Sequence, residues 1–142
     1  MIISLSSPLM IGLYKNGEKF DSIVSQEHVS EALVEVLDEL NNKFNIQKII
    51  YANTPGSFMG LKVAYVILKT FSIVKGCEFY AVSGFDLNDN APIKANKFLS
   101  FVNSVDGVSL QKTKPKEFKL PLNLYSLKLN SDTLPNYVIQ AV

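Results

Sequence analysis

The sequence predicts a single α/β domain built on a mixed sheet, and three observations lead to this fold class. Residues 1–24 alternate apolar and polar positions around short turns, as antiparallel strands do. Segment 29–44 carries apolar residues at helical spacing, and a second helix is predicted at 57–74, between a Pro-Gly-Ser turn and Gly76. Short apolar segments at 48–52 and 78–82 follow the two helices, so each helix is expected to lead into a further strand of the sheet.

The individual elements follow from local patterns. Strands are predicted at 2–5, 9–14 and 19–24, with Asn16-Gly17 as a two-residue hairpin turn. Helix 29–44 has acids in its first half, and helix 57–74 ends at Gly76. Besides the strands at 48–52 and 78–82, the sequence predicts a hairpin of 97–103 and 108–112 and edge strands at 122–129 and 137–142.

This order is that of the ribonuclease H-like fold, on which actin-like ATPases are built. Three antiparallel strands come first, and then helices and strands alternate. We expect residues 1–111 to form one actin-like subdomain. Residues 112–142 are predicted to be a lysine-rich tether followed by a tail that packs back on the domain.

Composition narrows the class of protein. Hydrophobic residues make up 47% of the 142 residues and charged residues 19%, as in globular proteins. All 14 basic residues are lysines, and the absence of arginine disfavours a dedicated nucleic-acid reader, because arginine makes the bidentate phosphate and guanine contacts. The single cysteine, Cys77, excludes an intrachain disulfide and a cysteine-based zinc site, and is typical of a reducing compartment.

The apolar start of the chain is interpreted as strands rather than as a secretion signal. It lacks a basic region and a small-residue cleavage site. Lys62, Lys69 and Lys75 interrupt the most apolar region, which leaves no stretch of about 18 apolar residues to cross a membrane. We therefore expect a cytoplasmic protein without membrane contact.

The segment NTPGSFMGLK, residues 53–62, fits no enzyme motif. Gly56 and Gly60 are separated by three residues, and Lys62 comes one position late for a P-loop. Gly56 directly precedes Ser57, so the nucleophile-elbow pattern G-x-S-x-G fails as well. His28 is the only histidine, which leaves Ser57 without a base and disfavours a metal site. The sequence thus predicts no catalytic residue, no metal ligand and no cofactor.

A structural role explains the same segment better. Pro55 restricts the backbone before a turn, Gly56 is expected to supply the backbone angles for a strand-to-helix reversal, and Ser57 is a natural N-cap. Gly60 is expected to let the first helical turn approach another backbone. Anion binding at this helix N-terminus is the alternative. The lysines of 112–119 are interpreted as a solvated tether, because Phe118 is the only aromatic residue among them.

The helix at 57–74 is apolar on nearly every side. A sheet can cover only one side of such a helix, so a partner surface is expected to cover another.

The motif loop, defined as Pro55, Gly56, Ser57, Phe58 and Gly60, resembles the signature G-P-G-S-F-T-G-[LV]-R of the TsaB family, also called YeaZ. Met59 replaces the threonine of that signature, Lys62 the arginine and Thr54 the first glycine. The hairpin turn at Asn16-Gly17, the helix entry QEH at 26–28 and the segment LPNYV at 134–138 are similar to the family as well. Ser6-Ser7 stands where the family has an Asp-Thr pair, and the lysine-rich stretch 112–121 stands where much of a second subdomain is usual.

The resemblance implies a shortened, non-catalytic partner subunit. Such a subunit binds the enzyme TsaD through its two N-terminal helices and, together with the ATPase TsaE, supports the threonylcarbamoyladenosine modification of tRNA beside the anticodon. Contact with tRNA is expected to be indirect, and a homodimer is a further expectation. The alternatives are a self-associating actin-like scaffold unrelated to tRNA and a degenerate ribonuclease H-like enzyme. The residues expected to bind the partner are His28, Ala32, Val36, Leu61, Tyr65, Leu68 and Lys69.

Overall fold

In the computed structural model, residues 1–56 and 58–137 are described. They form a five-stranded mixed sheet, a three-stranded antiparallel sheet, two long helices and one short helix. The elements in chain order are β1 (Ile2–Ile3), β2 (Leu9–Lys15), β3 (Glu18–Ser25), α1 (Val29–Lys43), β4 (Lys48–Thr54), α2 (Phe58–Lys75), β5 (Glu78–Ser83), α3 (Gly84–Leu87), β6 (Ile93–Lys94), β7 (Ser100–Ser104) and β8 (Gly107–Gln111).

The larger sheet has the strand order β3-β2-β1-β4-β5. Strands β1 to β3 pair antiparallel, and β4 pairs parallel with both β1 and β5. Asn16 and Gly17 have positive φ values of 53° and 80°, as the tight turn between β2 and β3 requires. The predicted meander, crossover helices and hairpin turn are therefore confirmed.

Alternation along β4 divides the core between the two faces of this sheet. Ile49 and Tyr51 are buried on the face that α1 and α2 cover, whereas Ile50 and Ala52 are buried on the opposite face. Successive side chains of a strand point to opposite faces, so a nearly continuous apolar strand must be covered on both sides. The result is a three-layer arrangement with the five-stranded sheet in the middle.

The layer opposite the helices contains β6, β7, β8 and the chain that follows them. Phe118 and Leu120 are buried there beside Phe101 and Ile93. The lysines of segment 112–121 are exposed, as a solvated tether would have them, but Phe118 and Leu120 pack into the core. The alternation of buried Phe118, exposed Lys119 and buried Leu120 marks a half-buried extended segment.

The predicted edge strand at 122–129 is also wrong. The segment is irregular and is held by scattered bonds at the β2–β3 turn: the Lys19 amide donates to the Leu122 carbonyl at 2.9 Å, and the Tyr125 hydroxyl donates to the Asn16 carbonyl at 2.9 Å. Tyr125 packs over Gly17, which bends the chain around the turn instead of extending it along a strand. Tyr137 lies outside any strand, and the rest of the predicted strand 137–142 lies outside the described residues.

The predicted hairpin forms with a later start. Residues 97–99 make a turn, because the Asn96 side-chain oxygen accepts from the amides of Phe98 and Leu99, both at 2.9 Å. Such a side chain competes with strand pairing for the backbone donors. Strands β7 and β8 follow around Asp106-Gly107, while the two-residue strand β6 and the short helix α3 were not predicted.

Candidate partner-binding surface and motif loop

The motif loop connects β4 to α2 and packs against Leu5 in the turn between β1 and β2. Pro55 is fully buried. A Cβ atom at Gly56 would lie 3.1 Å from Leu5 Cδ2 and 3.3 Å from Leu5 Cα. The φ of Gly56 is not positive, so a left-handed backbone is not the reason for a glycine here. The close approach to Leu5 is what favours a glycine at this position.

The remainder of the motif loop enters α2. Ser57 lies outside the described residues, and with it the predicted N-cap. The Phe58 ring is half exposed and packs against Tyr137, with the ring centroids 4.5 Å apart. Lys62 Nζ lies 5.9 Å from the Phe58 ring centroid, and Gly60 is partly buried in the first turn of the helix. Anion binding at this helix start remains a prediction.

His28 is the N-cap of α1. Its Nδ1 accepts from the Ser30 amide at 3.3 Å and lies 2.8 Å from the Ser30 hydroxyl. The ring therefore satisfies a helix-end donor that has no partner within the helix. This local role explains why a lone histidine stands at the start of the helix.

The residues expected to bind a partner fall into three groups by burial. Ala32, Leu61 and Leu68 are buried within the chain itself. Val36 and Tyr65 are partly buried, and His28 and Lys69 are exposed. In the described structure the buried three contribute to the core, so they have no free surface to offer a partner.

A stripe of apolar side chains runs along the outer side of α2 instead. Met59, Val66 and Ile73 are spaced seven residues apart and are 65%, 52% and 69% exposed. Residues seven apart on a helix lie on one side of it, which is the spacing of a helix–helix contact seam. We call these three residues the α2 stripe. Their spacing was visible in the sequence, but helical periodicity alone could not show which side of an all-apolar helix faces outward.

Opposite charges accompany the two helices. Helix α2 carries Lys62, Lys69 and Lys75 and no acidic residue. Helix α1 carries Lys43 and four acidic residues that are all exposed: Glu31, Glu35, Asp38 and Glu39. The two helices contact one another on the same face of the sheet. Together, the α2 stripe and these charged side chains make up what we call the α1–α2 surface.

Aromatic packing under α2 fixes the position of this surface. The Tyr51 ring lies 5.2 Å from the Phe79 ring and 6.5 Å from the Tyr65 ring, measured between centroids. Burial raises the pKa of the Tyr51 hydroxyl, which donates a hydrogen bond to the Thr133 carbonyl. A large aromatic residue thus ties β4 to the helix above it and to the tail of the chain.

A polar cleft of about 400 Å³ lies where β4 and β5 end. Its lining includes Asn53, Ser83, Asp86 and Lys128, and the Thr54 hydroxyl is buried beside it without a hydrogen-bond partner in the described part of the chain. Ligands of open α/β sheets bind at the carboxyl ends of the strands. Within residues 1–56 and 58–137, no three His, Cys, Asp or Glu side chains come together as metal ligands would.

Neither long helix is a membrane-spanning candidate: in the described part of the chain no helix is both long enough and apolar enough to cross a bilayer.

The sheet order β3-β2-β1-β4-β5, with α1 and α2 packed on one face, defines a protein of actin-like, ribonuclease H-like fold. Solved structures agree. The structure of YeaZ from Pseudomonas aeruginosa superposes with a TM-score of 0.58 at 14% sequence identity. A second crystal structure, of an uncharacterized protein with similarity to peptidase YEAZ from Pseudomonas aeruginosa, superposes with a TM-score of 0.55 at 16% identity.

Both matches cover 79% of this chain and 62% of the chain compared, so the chain spans less than two thirds of the length of these two proteins. None of the curated proteins matches the sequence. The family described as TsaD, tRNA N6-adenosine threonylcarbamoyltransferase, matches residues 22–122. The chain therefore belongs to this family, and its fold is similar to that of YeaZ.

Proposed function

We propose that the chain is a non-catalytic partner subunit that binds TsaD through the α1–α2 surface and supports threonylcarbamoyladenosine modification of tRNA in the cytoplasm. Family membership supports the tRNA-modification role. The observation that carries the partner role is the α2 stripe, three apolar side chains in one row that stay exposed although they lie on the chain's most apolar helix. Exposed apolar patches of this kind mark interaction sites.

The chemistry of the described residues favours the role of a partner subunit over that of a catalytic subunit. The single histidine, His28, caps α1. The family resemblance implies that TsaD holds its metal with an H-x-x-x-H pair, and one histidine cannot form such a pair. The interface we propose is centred on Val66, with Met59 and Ile73 on either side and with Tyr65 and Lys69 at its margins. TsaE is the further partner of the proposed complex.

The test uses the purified chain and TsaD from the same organism. Size-exclusion chromatography with light scattering should show a complex, and Val66→Glu should weaken it about tenfold or more, because a carboxylate would be buried in an apolar contact. Val105→Glu is the matched control, because Val105 is fully exposed in the turn between β7 and β8. Equal TsaD binding by the two variants, or no binding by the unaltered chain, would contradict the proposal.

Self-association through the same surface is the second candidate. The acidic side chains of α1 and the lysines of α2 are complementary, so two copies related by a twofold axis could pair α1 of one with α2 of the other. Light scattering of the chain alone separates the two candidates. A stable homodimer that ignores TsaD would favour self-association, and a monomer that binds TsaD would favour the partner role.

A further inference from the structure

A second surface of the molecule lies in the layer opposite α1 and α2. It is a groove of about 690 Å³ between the β1–β2 turn, the loop that joins β6 to β7, and the segment from Thr113 to Lys119. Five lysines line it, together with one carboxylate, Glu117. We call it the lysine groove, and its lysines are Lys94, Lys97, Lys114, Lys116 and Lys119.

The positive charge of the lysine groove is largely uncompensated. Lys116 pairs with Asp89 at 3.0 Å. Within residues 1–56 and 58–137, the other four lysines have no carboxylate at ion-pair distance. Like charges along one concave wall repel one another and attract a polyanion, because the field of a groove exceeds that of a flat surface. The charge of the groove therefore complements a chain of phosphates.

Two lysine-bearing segments that are separate in sequence are fixed side by side. The Ser100 hydroxyl donates to the Thr113 carbonyl at 2.8 Å, and the Lys116 amide donates to the Pro92 carbonyl at 2.9 Å. Phe118 and Leu120 anchor the end of the segment in the core, which directs Lys119 between them outward. An anion bound here would meet lysines on a backbone that is already ordered, so less entropy is lost on binding.

An aromatic side chain stands at the same groove. Phe98 is 74% exposed and lies on the turn that the Asn96 side chain fixes. Lys97 Nζ lies 5.8 Å from the Phe98 ring centroid. Lysines along a groove with an exposed aromatic ring are the combination that binds single-stranded nucleic acid, because the lysines follow the phosphates while a base stacks on the ring. A polyanion without bases, such as heparin, would gain little from Phe98.

We propose that the lysine groove binds a single-stranded segment of RNA directly, with phosphates on Lys94, Lys97, Lys114 and Lys119 and a base on Phe98. The choice of tRNA as that RNA rests on the proposed function. The sequence led to the opposite expectation of a solvated tether, because Phe118 is the only aromatic residue among the lysines of 112–119, and the family resemblance implied only indirect contact with tRNA. Phe118 is buried, and the exposed aromatic residue is Phe98, from the other wall.

The test is fluorescence anisotropy of a labelled, unmodified tRNA transcript titrated with the purified chain. The triple variant Lys94→Gln, Lys97→Gln, Lys119→Gln should weaken binding about tenfold or more and lower the slope of log affinity against log salt by about two to three. The matched control changes the net charge equally at exposed lysines that lie outside both the groove and the α1–α2 surface: Lys15→Gln, Lys48→Gln, Lys128→Gln. Equal affinities of the two triple variants for tRNA would overturn the proposal.

Phe98→Ala separates RNA from polyanions in general. It should weaken binding of the tRNA roughly tenfold, because a stacked base loses its platform, and leave binding of heparin unchanged. A Phe98→Ala variant that binds tRNA as the unaltered chain does, or that weakens heparin and tRNA binding equally, would overturn base stacking on Phe98.

The proposal about the lysine groove and the proposal about the α1–α2 surface can be tested independently. The groove variants should still form the TsaD complex, and Val66→Glu should still bind tRNA. If the unaltered chain did not bind TsaD but did bind RNA through the groove, only the proposed function would be overturned. An intact TsaD complex with no groove-dependent RNA binding would overturn the groove proposal alone.

Discussion

Gly84 stands at a crowded junction between three elements. A Cβ atom at this position would lie 2.4 Å from Leu5 Cδ1 and 3.0 Å from the Thr54 carbonyl oxygen. The Leu5 side chain could rotate, but the Thr54 carbonyl belongs to the backbone of β4 and could move only with the strand. Gly56 meets the same Leu5 from the motif loop. Two glycines thus allow the β1–β2 turn, the end of β4 and the start of α3 to pack closely.

We predict that Gly84→Ala lowers the free energy of unfolding by about 1–3 kcal/mol, the usual cost of overpacking a core. Urea denaturation measures it. Gly76→Asn is the control: Gly76 has φ of +69° with nothing within 4 Å of an added Cβ, and asparagine accepts this backbone conformation. It should change stability by no more than about 0.5 kcal/mol. Equal effects of the two substitutions would contradict the close packing at Gly84.

Tyr14 is predicted to make stability depend on alkaline pH. Burial raises the pKa of its hydroxyl to about 12, and that hydroxyl donates to the Pro121 carbonyl at 2.6 Å. Because the folded pKa is above the unfolded value of 10, folding favours the neutral form. The contribution of Tyr14 is complete below pH 10 and is lost as the pH rises through the folded pKa of about 12.

Urea denaturation across this pH range, of the unaltered chain and of Tyr14→Phe, isolates the effect. Subtracting one series from the other removes the contribution of Tyr51, whose pKa is also raised. The unaltered chain should lose more stability than Tyr14→Phe as the pH rises. Parallel curves would show that Tyr14 ionises as freely in the folded state as in the unfolded state.

At the scale of elements, α2 shows how one helix serves the core and an outer surface at once. Leu61, Ala64 and Leu68 are buried against the sheet, while the α2 stripe is exposed. The sequence predicted the helix and its need for a second contact, because an apolar composition all round a helix is a local property. It did not predict the orientation, since every side of the helix was apolar enough to be the buried one.

This orientation predicts that truncating two nearby residues of α2 changes the free energy of unfolding by very different amounts. Leu68→Ala should lower the free energy of unfolding by about 2–5 kcal/mol, because it leaves a cavity against the sheet. Val66→Ala should change it by no more than about 0.5 kcal/mol, since Val66 is half exposed. Thermal or urea denaturation measures both. A larger loss at Val66 than at Leu68 would mean that α2 is rotated from the position described.

At the scale of the whole molecule, the chain after β8 completes the core of the domain. Phe118 and Leu120 fill the layer opposite the helices, and the Asn130 amide and carbonyl each bond to Ala81 of β5 at 2.8 Å. These contacts join residues far apart in sequence. The division of the chain at residue 111 into a subdomain and a tether with its tail stays a prediction, and its stability consequences can be measured.

Leu120→Ala and Leu122→Ala are a matched pair for that measurement. Leu120 is buried, so its truncation should lower the free energy of unfolding by about 2–5 kcal/mol. Leu122 is exposed, and its truncation should have an effect within about 0.5 kcal/mol. If residues 112–142 were dispensable for the fold of 1–111, Leu120→Ala would leave the unfolding of the sheet and helices unchanged.

The sequence by itself determined the order of the helices and strands of the larger sheet, the β2–β3 turn and the likeness of the motif loop to TsaB. These properties depend on hydrophobic periodicity, on residues that accept positive φ and on short motifs, all of which act within a few neighbouring positions. Only the tertiary structure decided which side of α2 faces outward, how closely Gly56 approaches Leu5, and that Phe98 shares a groove with lysines from a later segment. Each of these depends on distances between residues remote in sequence, which are set by the packing of whole layers and leave no local pattern in the chain.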